Sequence, residues 1–534
     1  MKLTGVTRNN DGFQTREIDG VELGDDNNVG GSLQARWLAS ENLDITFATD
    51  VTRRRAHIAA HGATTVVASG GSALYESVTG VNPVDFQPAA DPWEKGTAGI
   101  RPSDDLDVFG ASFTVSYDLG ESELKSITAY REMEADTGTD FDGTPIPYND
   151  QLVNQDQEQF SQEFQLSKQS DRYQWVLGAY YLQEDILEEI QNNFYLFYAF
   201  NGAPVGDGPL IRTDLSTESV SVFGQLTYHL TDKLSATAGL RWTRETKEVD
   251  ILSPFGLASG GQPVMVNGDK SWENVSPRLG VEYQVDNDLM LYASATRGFK
   301  SGSFNGRPDR NNDFDPYAPE KVWAYEVGFK SEFMDNRVRF NGAAFVTDYD
   351  GIQLVTGGLD SNGVPFFPVD NAGDVRIMGA ELELTARPVE ALNIFAAAGY
   401  TEEDWQEIYP IAFVTDSTRL PMMSHGTFIL GGDYRLPLGG FGSLVLGANY
   451  SYRSSFFMDT NNSPRVEQDG YGLLDARVIL KPENGNWELK FWGKNLTDEE
   501  YITWAQDLIP IFDSHTVSFF GRPREYGVTF SMNF

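Results

Sequence analysis

No cysteine occurs in the 534 residues. A disulfide framework and a thiolate-held zinc or iron–sulfur centre are therefore excluded. Basic residues are scarce, with 40 Lys plus Arg against 78 Asp plus Glu and a formal charge of -38. Nucleic-acid binding wants a basic field, so that class is set aside. Long hydrophobic runs are missing too. The longest aromatic-apolar stretch, Phe194 to Phe200, falls far short of the ~18 residues of a membrane helix. Behind Met1 and Lys2 there is no apolar core region and no small-residue cleavage site, so no signal peptide is read. That start implies either a cytoplasmic protein or a fragment whose export signal lay upstream.

What the chain does have is aromatic side chains, 13% of residues, and 52 glycines. A disordered acidic chain would be poor in aromatics, so the charge is not a disorder signal. The dominant pattern is alternation with period two, which puts every second side chain on one face of a strand. Phe109, Ala111, Phe113, Val115 and Tyr117 alternate with Gly110, Ser112, Thr114 and Ser116. Leu234, Ala236, Ala238, Leu240 and Trp242 alternate with Ser235, Thr237, Gly239 and Arg241, and the segment Tyr526 to Phe534 repeats the pattern. Helical spacing nowhere extends over a comparable length.

The alternating segments come in pairs joined by turn sequences such as Thr231-Asp232, Asp286-Asn287-Asp288 and Met334-Asp335-Asn336. Much longer stretches, such as Ala56 to Asp105 and Asp185 to Thr217, separate one pair from the next. Short and long connections in strict alternation put all tight turns at one end of a sheet and all long loops at the other. The expectation is an all-β fold: a transmembrane antiparallel β-barrel of about 20 strands, with short periplasmic turns and long extracellular loops. A propeller would repeat every ~40 to 50 residues with short connections at both ends. A soluble barrel would put the apolar face inside and use far fewer strands. Aromatics near strand ends, among them Trp37, Tyr117, Trp175, Trp242 and Tyr283, fit interfacial girdles.

The segments Leu291 to Asn305, Pro319 to Leu354 and Asn371 to Tyr400, with the closing pair Gly493 to Tyr501 and Gly521 to Phe534, resemble the barrel of TonB-dependent outer-membrane receptors. The resemblance extends more weakly over the whole of 1–534, taken as one barrel unit. It implies the bacterial outer membrane and a complete family barrel of 22 strands. It also implies energised uptake of a scarce, bulky nutrient, often a ferric siderophore, sometimes a corrinoid, haem or oligosaccharide. Expected partners are outer-membrane lipid and lipopolysaccharide, the TonB-ExbB-ExbD system, and the barrel-assembly machinery reading the terminal Phe534. The barrel is expected to be a monomer. Family members also carry a signal peptide, a TonB box and a plug before the barrel. Their pattern is missing here, and counting strands back from the end makes Lys2 to Arg8 the third. The expectation is an N-terminally truncated barrel without plug or first hairpin, with two unpaired edges, and without energised transport of its own. A passive plug-free porin or adhesin is the alternative.

Candidate ligand-binding residues follow from loop and lumen positions. Phe194, Tyr195 and Tyr198 in one aromatic cluster, and Phe456 with Phe457 in another, could stack on a flat or sugar-like ligand or pack loop against loop. Alternation turns Arg241, Arg278, Arg337 and Arg339 inward, to steer a ligand or pair with plug carboxylates. The stretch Arg131 to Phe160 holds eight acids and one base, and Glu184 to Ser216 six acids and one base. Such loops repel anions at close range. No catalytic residue, metal ligand or cofactor is expected. His57 and His61 in HIAAH lack the glutamate of a zinc-protease pattern. Asp309, Asn311, Asp313 and Asp315 to Glu320 mimic EF-hand spacing, but Phe314 stands where glycine is required. Neither a nucleophile elbow, a phosphate loop nor a dinucleotide fingerprint is present.

Overall fold

The computed structural model describes all residues except 60–61, 69, 87–90, 195–209, 254–262, 307–314, 356–357, 360–364, 367, 411–413, 513–514 and 533–534. Twenty long strands form one antiparallel sheet. In chain order they are β1 (Lys2–Arg8), β2 (Asn27–Ser40), β3 (Leu43–Ala56), β4 (Ser103–Asp118), β5 (Glu123–Asp140), β6 (Asn149–Gln169) and β7 (Tyr173–Phe194). They continue with β8 (Leu210–His229), β9 (Leu234–Ser253), β10 (Val264–Gln284), β11 (Leu289–Lys300), β12 (Glu320–Phe333), β13 (Val338–Val355) and β14 (Val369–Val389). The last six are β15 (Leu392–Ile408), β16 (Gly426–Pro437), β17 (Gly442–Arg453), β18 (Tyr471–Pro482), β19 (Trp487–Lys494) and β20 (Glu525–Met532).

Each strand pairs with its sequence neighbours, from β1 with β2 through β19 with β20. Nine of the connections are two to four residues long and all lie at one end; the others run from eight residues upward at the opposite end. The turn between β12 and β13 is unusual in holding Met334, Asp335 and Asn336 all at positive φ, 58°, 57° and 60°. Asp and Asn tolerate that conformation, and Met334 adopts it at a steric cost.

The register shows why the sequence takes this form. In β8 and β9 the pairs Leu226–Ala238, Gly224–Leu240, Val222–Trp242 and Tyr228–Ala236 share one face, and Thr227–Thr237, Gln225–Gly239 and Ser221–Thr243 the other. The apolar face points outward and is uncovered: Trp37 is 64% exposed, Leu240 55%, Leu279 61% and Val528 63%. Exposed apolar area on this scale on one face of a sheet requires a nonaqueous partner, and lipid is the one a barrel of this size meets. Strand pairing satisfies backbone polar groups along the wall, which hydrocarbon demands. Rings gather at two levels of that face. Trp37, Tyr117, Tyr228, Tyr283 and the Trp487–Phe530 pair lie near the short turns, with Phe160–Tyr181 and stacked Trp323–Tyr325 at the other level. No helix among the described residues is long and apolar enough to cross a membrane.

Two expectations need correction. Asp185 to Phe194 and Leu210 to Thr217 are not loop but the paired ends of β7 and β8, in register from Asp185–Ser216 to Gln191–Leu210. Likewise most of Arg131 to Phe160 is the paired ends of β5 and β6. Beyond the lipid both faces of the sheet meet water, so alternation disappears while pairing continues. A helix, α1 (Gly70–Thr79), also stands in the 57–102 connection, where no helical spacing was read.

Among the described residues no register joins β1 to β20, and every residue of β1 is exposed. The long connections cross this seam instead. Residues Gly62–Val66, Ile502–Asp507 and His515–Phe520 form a three-stranded sheet of their own. Arg522 donates to the Gly24 carbonyl at 2.9 Å, and Trp93 packs on Phe520 with ring centroids 4.7 Å apart. This cap, built by loops from both ends of the chain, is where much of the buried side-chain volume sits, Tyr75, Tyr148, Gln14 and His515 included.

Candidate functional site: the lumen wall and its outer mouth

On the inner face, glycine and aromatic alternate across strands to build a cationic patch. Gly178 in β7 stands opposite Phe223 in β8, and a Cβ at Gly178 would fall 2.2 Å from the ring. The missing side chain lets Phe223 lie flat on the wall. The Arg241 guanidinium sits 5.3 Å from the Phe223 centroid and 5.7 Å from that of Tyr180, within cation–π range. It donates from Nη2 to Ser221 Oγ at 2.9 Å, so its plane is fixed. Arg278 lies on the neighbouring strand, opposite Gly239 and one diagonal step from Arg241. Arg278 is exposed to the lumen.

The other two inward arginines are elsewhere. Arg339 faces the lumen near the short turns, paired with Glu332 at 2.5 Å. Arg337 lies in the β12–β13 turn itself, its Nε donating to the Met334 carbonyl at 3.0 Å. The four arginines are thus one adjacent pair and two separate structural anchors. Further ion pairs line the same face, Arg131 with Asp50 at 2.9 Å and Arg477 with Asp433 at 2.7 Å.

At the outer mouth Phe456 is buried against Met458, Val466 and Ala505, with the Arg453 guanidinium 4.2 Å over its ring. It packs loop to loop. Phe457 is half-buried under Arg419 at 5.6 Å. Beside them Glu403, nearly buried, accepts from His425 Nε2 at 2.7 Å, a contact that sequence reasoning missed because 22 residues separate the partners. Phe194 ends β7, but its side chain, with Tyr195 and Tyr198, lies outside the described residues, as do His61, Asp309, Asn311, Asp313 and Phe534. His57 sits with Nδ1 3.2 Å from Asp25.

The cap holds a second group that the sequence reading did not single out. Asp140 closes β5, Asp150 is the second residue of β6, Asp142 lies in the loop between them, and all three are buried. Their candidate ligand oxygens lie within 4.8 Å of one another. Burial pushes the Asp140 carboxyl up to about 7, opposed by backbone N–H donors and the charge of Arg16. Asp150 is pushed up to about 9, by burial first and by the Asp140 charge second. Asp142 moves upward by burial, then by both neighbours. His515, whose Nε2 lies 3.0 Å from the Phe141 carbonyl, is pushed by burial down to about 4. A D-x-D followed by a third aspartate eight residues later was the available signal; its burial was not.

Comparison with known proteins adds the following. A sequence-family profile described as "TonB dependent receptor-like, beta-barrel" matches residues 58–496. The chain is similar to the pesticin receptor of Yersinia pestis, 27% identical over 168 residues, which is 32% of this chain and 23% of that one. It is also similar to the ferric-pyoverdine 358 receptor of Pseudomonas putida, 27% identical over 293 residues, 51% of this chain and 32% of that one. The matched segments therefore span under a third of these relatives' own lengths. Among solved structures, the ferric yersiniabactin uptake receptor FyuA from Yersinia pestis superposes with a TM-score of 0.81 at 17% identity, covering 100% of this chain and 75% of that one. The siderophore receptor PiuA from Acinetobacter baumannii gives 0.74 at 16% identity, covering 99% and 76%. At these identities the structural likeness speaks for the fold.

Proposed function

The chain belongs to the TonB dependent receptor-like β-barrel family, and we propose that it is the outer-membrane wall of a receptor taking up a scarce metal chelate of the ferric-siderophore class. The single observation that carries this is the sorting of the sheet. One face is apolar and uncovered, the other holds the Arg241–Phe223–Tyr180 patch and ion pairs, and one end only bears long connections. That arrangement spans lipid, encloses a polar lumen and presents loops to the outside. The names of the relatives, receptors for ferric pyoverdine and ferric yersiniabactin, supply the ligand class.

In this reading Arg241 and Arg278 attract the anionic groups of an iron chelate entering the lumen, while the acid-rich strand ends above them disfavour highly anionic ones. Residues 1–534 serve as wall and loops. Energising the passage falls to a plug domain and to the TonB-ExbB-ExbD system, which the wall does not replace. Outer-membrane lipid and lipopolysaccharide surround a monomeric barrel, assembled through its C-terminal strand. No step in this scheme calls on catalysis.

The test is ligand binding by the chain folded in detergent, read by quenching of tryptophan fluorescence with a panel of ferric chelates. Saturable binding of one chelate, weakened when Arg241 and Arg278 are replaced together, supports the receptor. Steady single-channel conductance in planar bilayers, with no tight ligand in the panel, would assign the chain to a passive porin instead.

A further inference from the structure

The cap carries a feature that uptake does not explain. Asp140, Asp142 and Asp150 bring three carboxylates together at the outer end of the β5–β6 hairpin, each at most 1% exposed. Asp140 and Asp142 are held in place by backbone donors. Asp140 Oδ1 accepts from Gly143 N at 2.6 Å and from Asp142 N at 3.1 Å, and its Oδ2 from Gly99 N at 2.5 Å. Asp142 Oδ1 accepts from Thr144 N at 2.9 Å, and its Oδ2 from Asn149 N at 2.6 Å. Asp150 is different. Both of its carboxylate oxygens are buried without a hydrogen-bond partner among the described residues, and they face the other two carboxylates.

Among the described residues no protein cation pairs with Asp150. Arg16, whose charge acts on Asp140, directs Nε to the Ala98 carbonyl at 2.9 Å and Nη2 to the Gly99 carbonyl at 2.7 Å, and its ion pair is with Asp19. A buried carboxylate with no donor and two like charges beside it is costly unless a cation or a proton joins it. The geometry favours a metal ion. Oxygens bound to calcium at 2.3–2.6 Å sit on opposite sides of the ion no more than about 5 Å apart, and the three ligand atoms all fall inside 4.8 Å. Asp140 Oδ2 and Asp142 Oδ2 each accept one donor and keep a second lone pair, and carboxylates without a thiol suit a hard cation.

We propose that Asp140, Asp142 and Asp150 form a calcium site that clamps the β5–β6 hairpin loop into the cap. The loop is where such a clamp acts on the whole mouth. Its Phe141 carbonyl meets His515, its Gly143 carbonyl accepts from Thr97, and its Tyr148 ring packs edge-on against Tyr75 at 5.2 Å. One ion would therefore couple the third long connection to the 57–102 and 495–524 connections, which bridge the seam. This site is independent of the ligand assigned to the lumen, and its test involves no iron chelate.

The experiment uses the full chain folded in detergent at neutral pH, with heat-modifiable migration on a gel as proof of folding. Equilibrium dialysis against radioactive calcium should find one ion per chain at ~1 mM free calcium, the range of extracellular calcium modules. Calcium at about ten times its dissociation constant should slow proteolytic cleavage of the cap about tenfold relative to chelator, as mass action on the closed form requires. Asp150→Asn and Asp142→Asn should each fold and abolish both effects. Asp156→Asn, on the same strand but exposed, should retain them. Absence of bound calcium in the wild-type chain, or calcium protection that survives both Asp150→Asn and Asp142→Asn, would overturn the proposal and leave a proton-sharing cluster in its place.

Discussion

In the wall, Leu240, Leu279 and Val528 stand 55%, 61% and 63% exposed, while in the cap Asp140, Asp507 and His515 are 0% exposed. The two regions invert the usual assignment of apolar to inside and polar to outside, for opposite reasons. Lipid replaces a core in the wall, so a side chain there is judged by which face it takes. The cap stands in water and must make a core of its own from loops, and the chain supplies it with carboxylates, hydroxyls and an imidazole. Stability in the wall is thus a matter of partition, and stability in the cap a matter of whether each buried polar group has a partner.

The largest effect that tests this contrast is a charge placed on the lipid face. Leu240→Arg should cost about 2–4 kcal/mol of folding stability in phospholipid vesicles, the range for arginine near the bilayer midplane. Gln225→Arg, on the neighbouring strand but facing the lumen, should change stability by no more than about 0.5 kcal/mol. Both are read by denaturant titration of the heat-modifiable form. Equal costs at the two positions would break the assignment of faces.

In the cap the corresponding change is removal of a charge. Asp150→Asn should stabilise the cap in chelator by up to about 3 kcal/mol, because a buried carboxylate without a donor carries the full desolvation penalty. The sign follows from the raised carboxyl. A group bound more tightly to its proton when folded contributes stability that is complete below the unfolded value near 3.8 and is lost as pH rises through about 9. The advantage of the variant over the wild type should therefore widen from pH 4 to pH 9, measured by hydrogen exchange of the cap amides.

His515 works in the other direction. Its imidazole is held neutral by burial, facing the Phe141 carbonyl, the Tyr148 ring and the charge of Asp507. Its depressed value means the open cap binds a proton that the closed cap does not, so stability is lost as pH falls from 6.5 toward about 4. Relative to His515→Gln, the wild-type cap should weaken by about 2 kcal/mol between pH 6.5 and pH 5, at 1.36 kcal/mol per unit. Comparing the two proteins removes the opposing trend of the aspartates.

The wall was legible in the sequence and the cap was not, and the contrast explains why. Alternation from Leu234 to Trp242 reports a face in lipid and a face in water, and the register of β8 with β9 follows it residue by residue. Where β7 and β8 rise beyond the lipid, Glu188 and Glu189 stand side by side and both faces are wetted, so the pattern dissolves although Glu188–Thr213 and Glu189–Arg212 remain paired. The cap depends on contacts between distant segments: His515 meets Phe141 across 374 positions and Arg522 meets Gly24 across 498. No local pattern carries such a pairing. In the lumen, alternation turned Arg241 and Arg278 inward, yet Arg337, two positions before the inward Arg339, sits in a turn, because alternation ends where the strand does.

The smallest expected effect lies where the two regimes meet, on the wall but facing water. Arg241 is held by two aromatic faces and by Ser221 rather than by a carboxylate. Arg241→Ala should therefore cost about 0.5–1 kcal/mol, the worth of cation–π contacts at a hydrated site. Lysine would restore the charge but not the fixed plane, since its ammonium is a flexible point charge. If the patch exists to receive an anionic chelate, Arg241→Lys should keep stability near wild type and still weaken chelate binding. If the patch serves only to brace the wall, binding should follow stability, and Arg241→Lys should leave both unchanged. Fluorescence titration beside denaturant titration of the same three proteins separates the two roles.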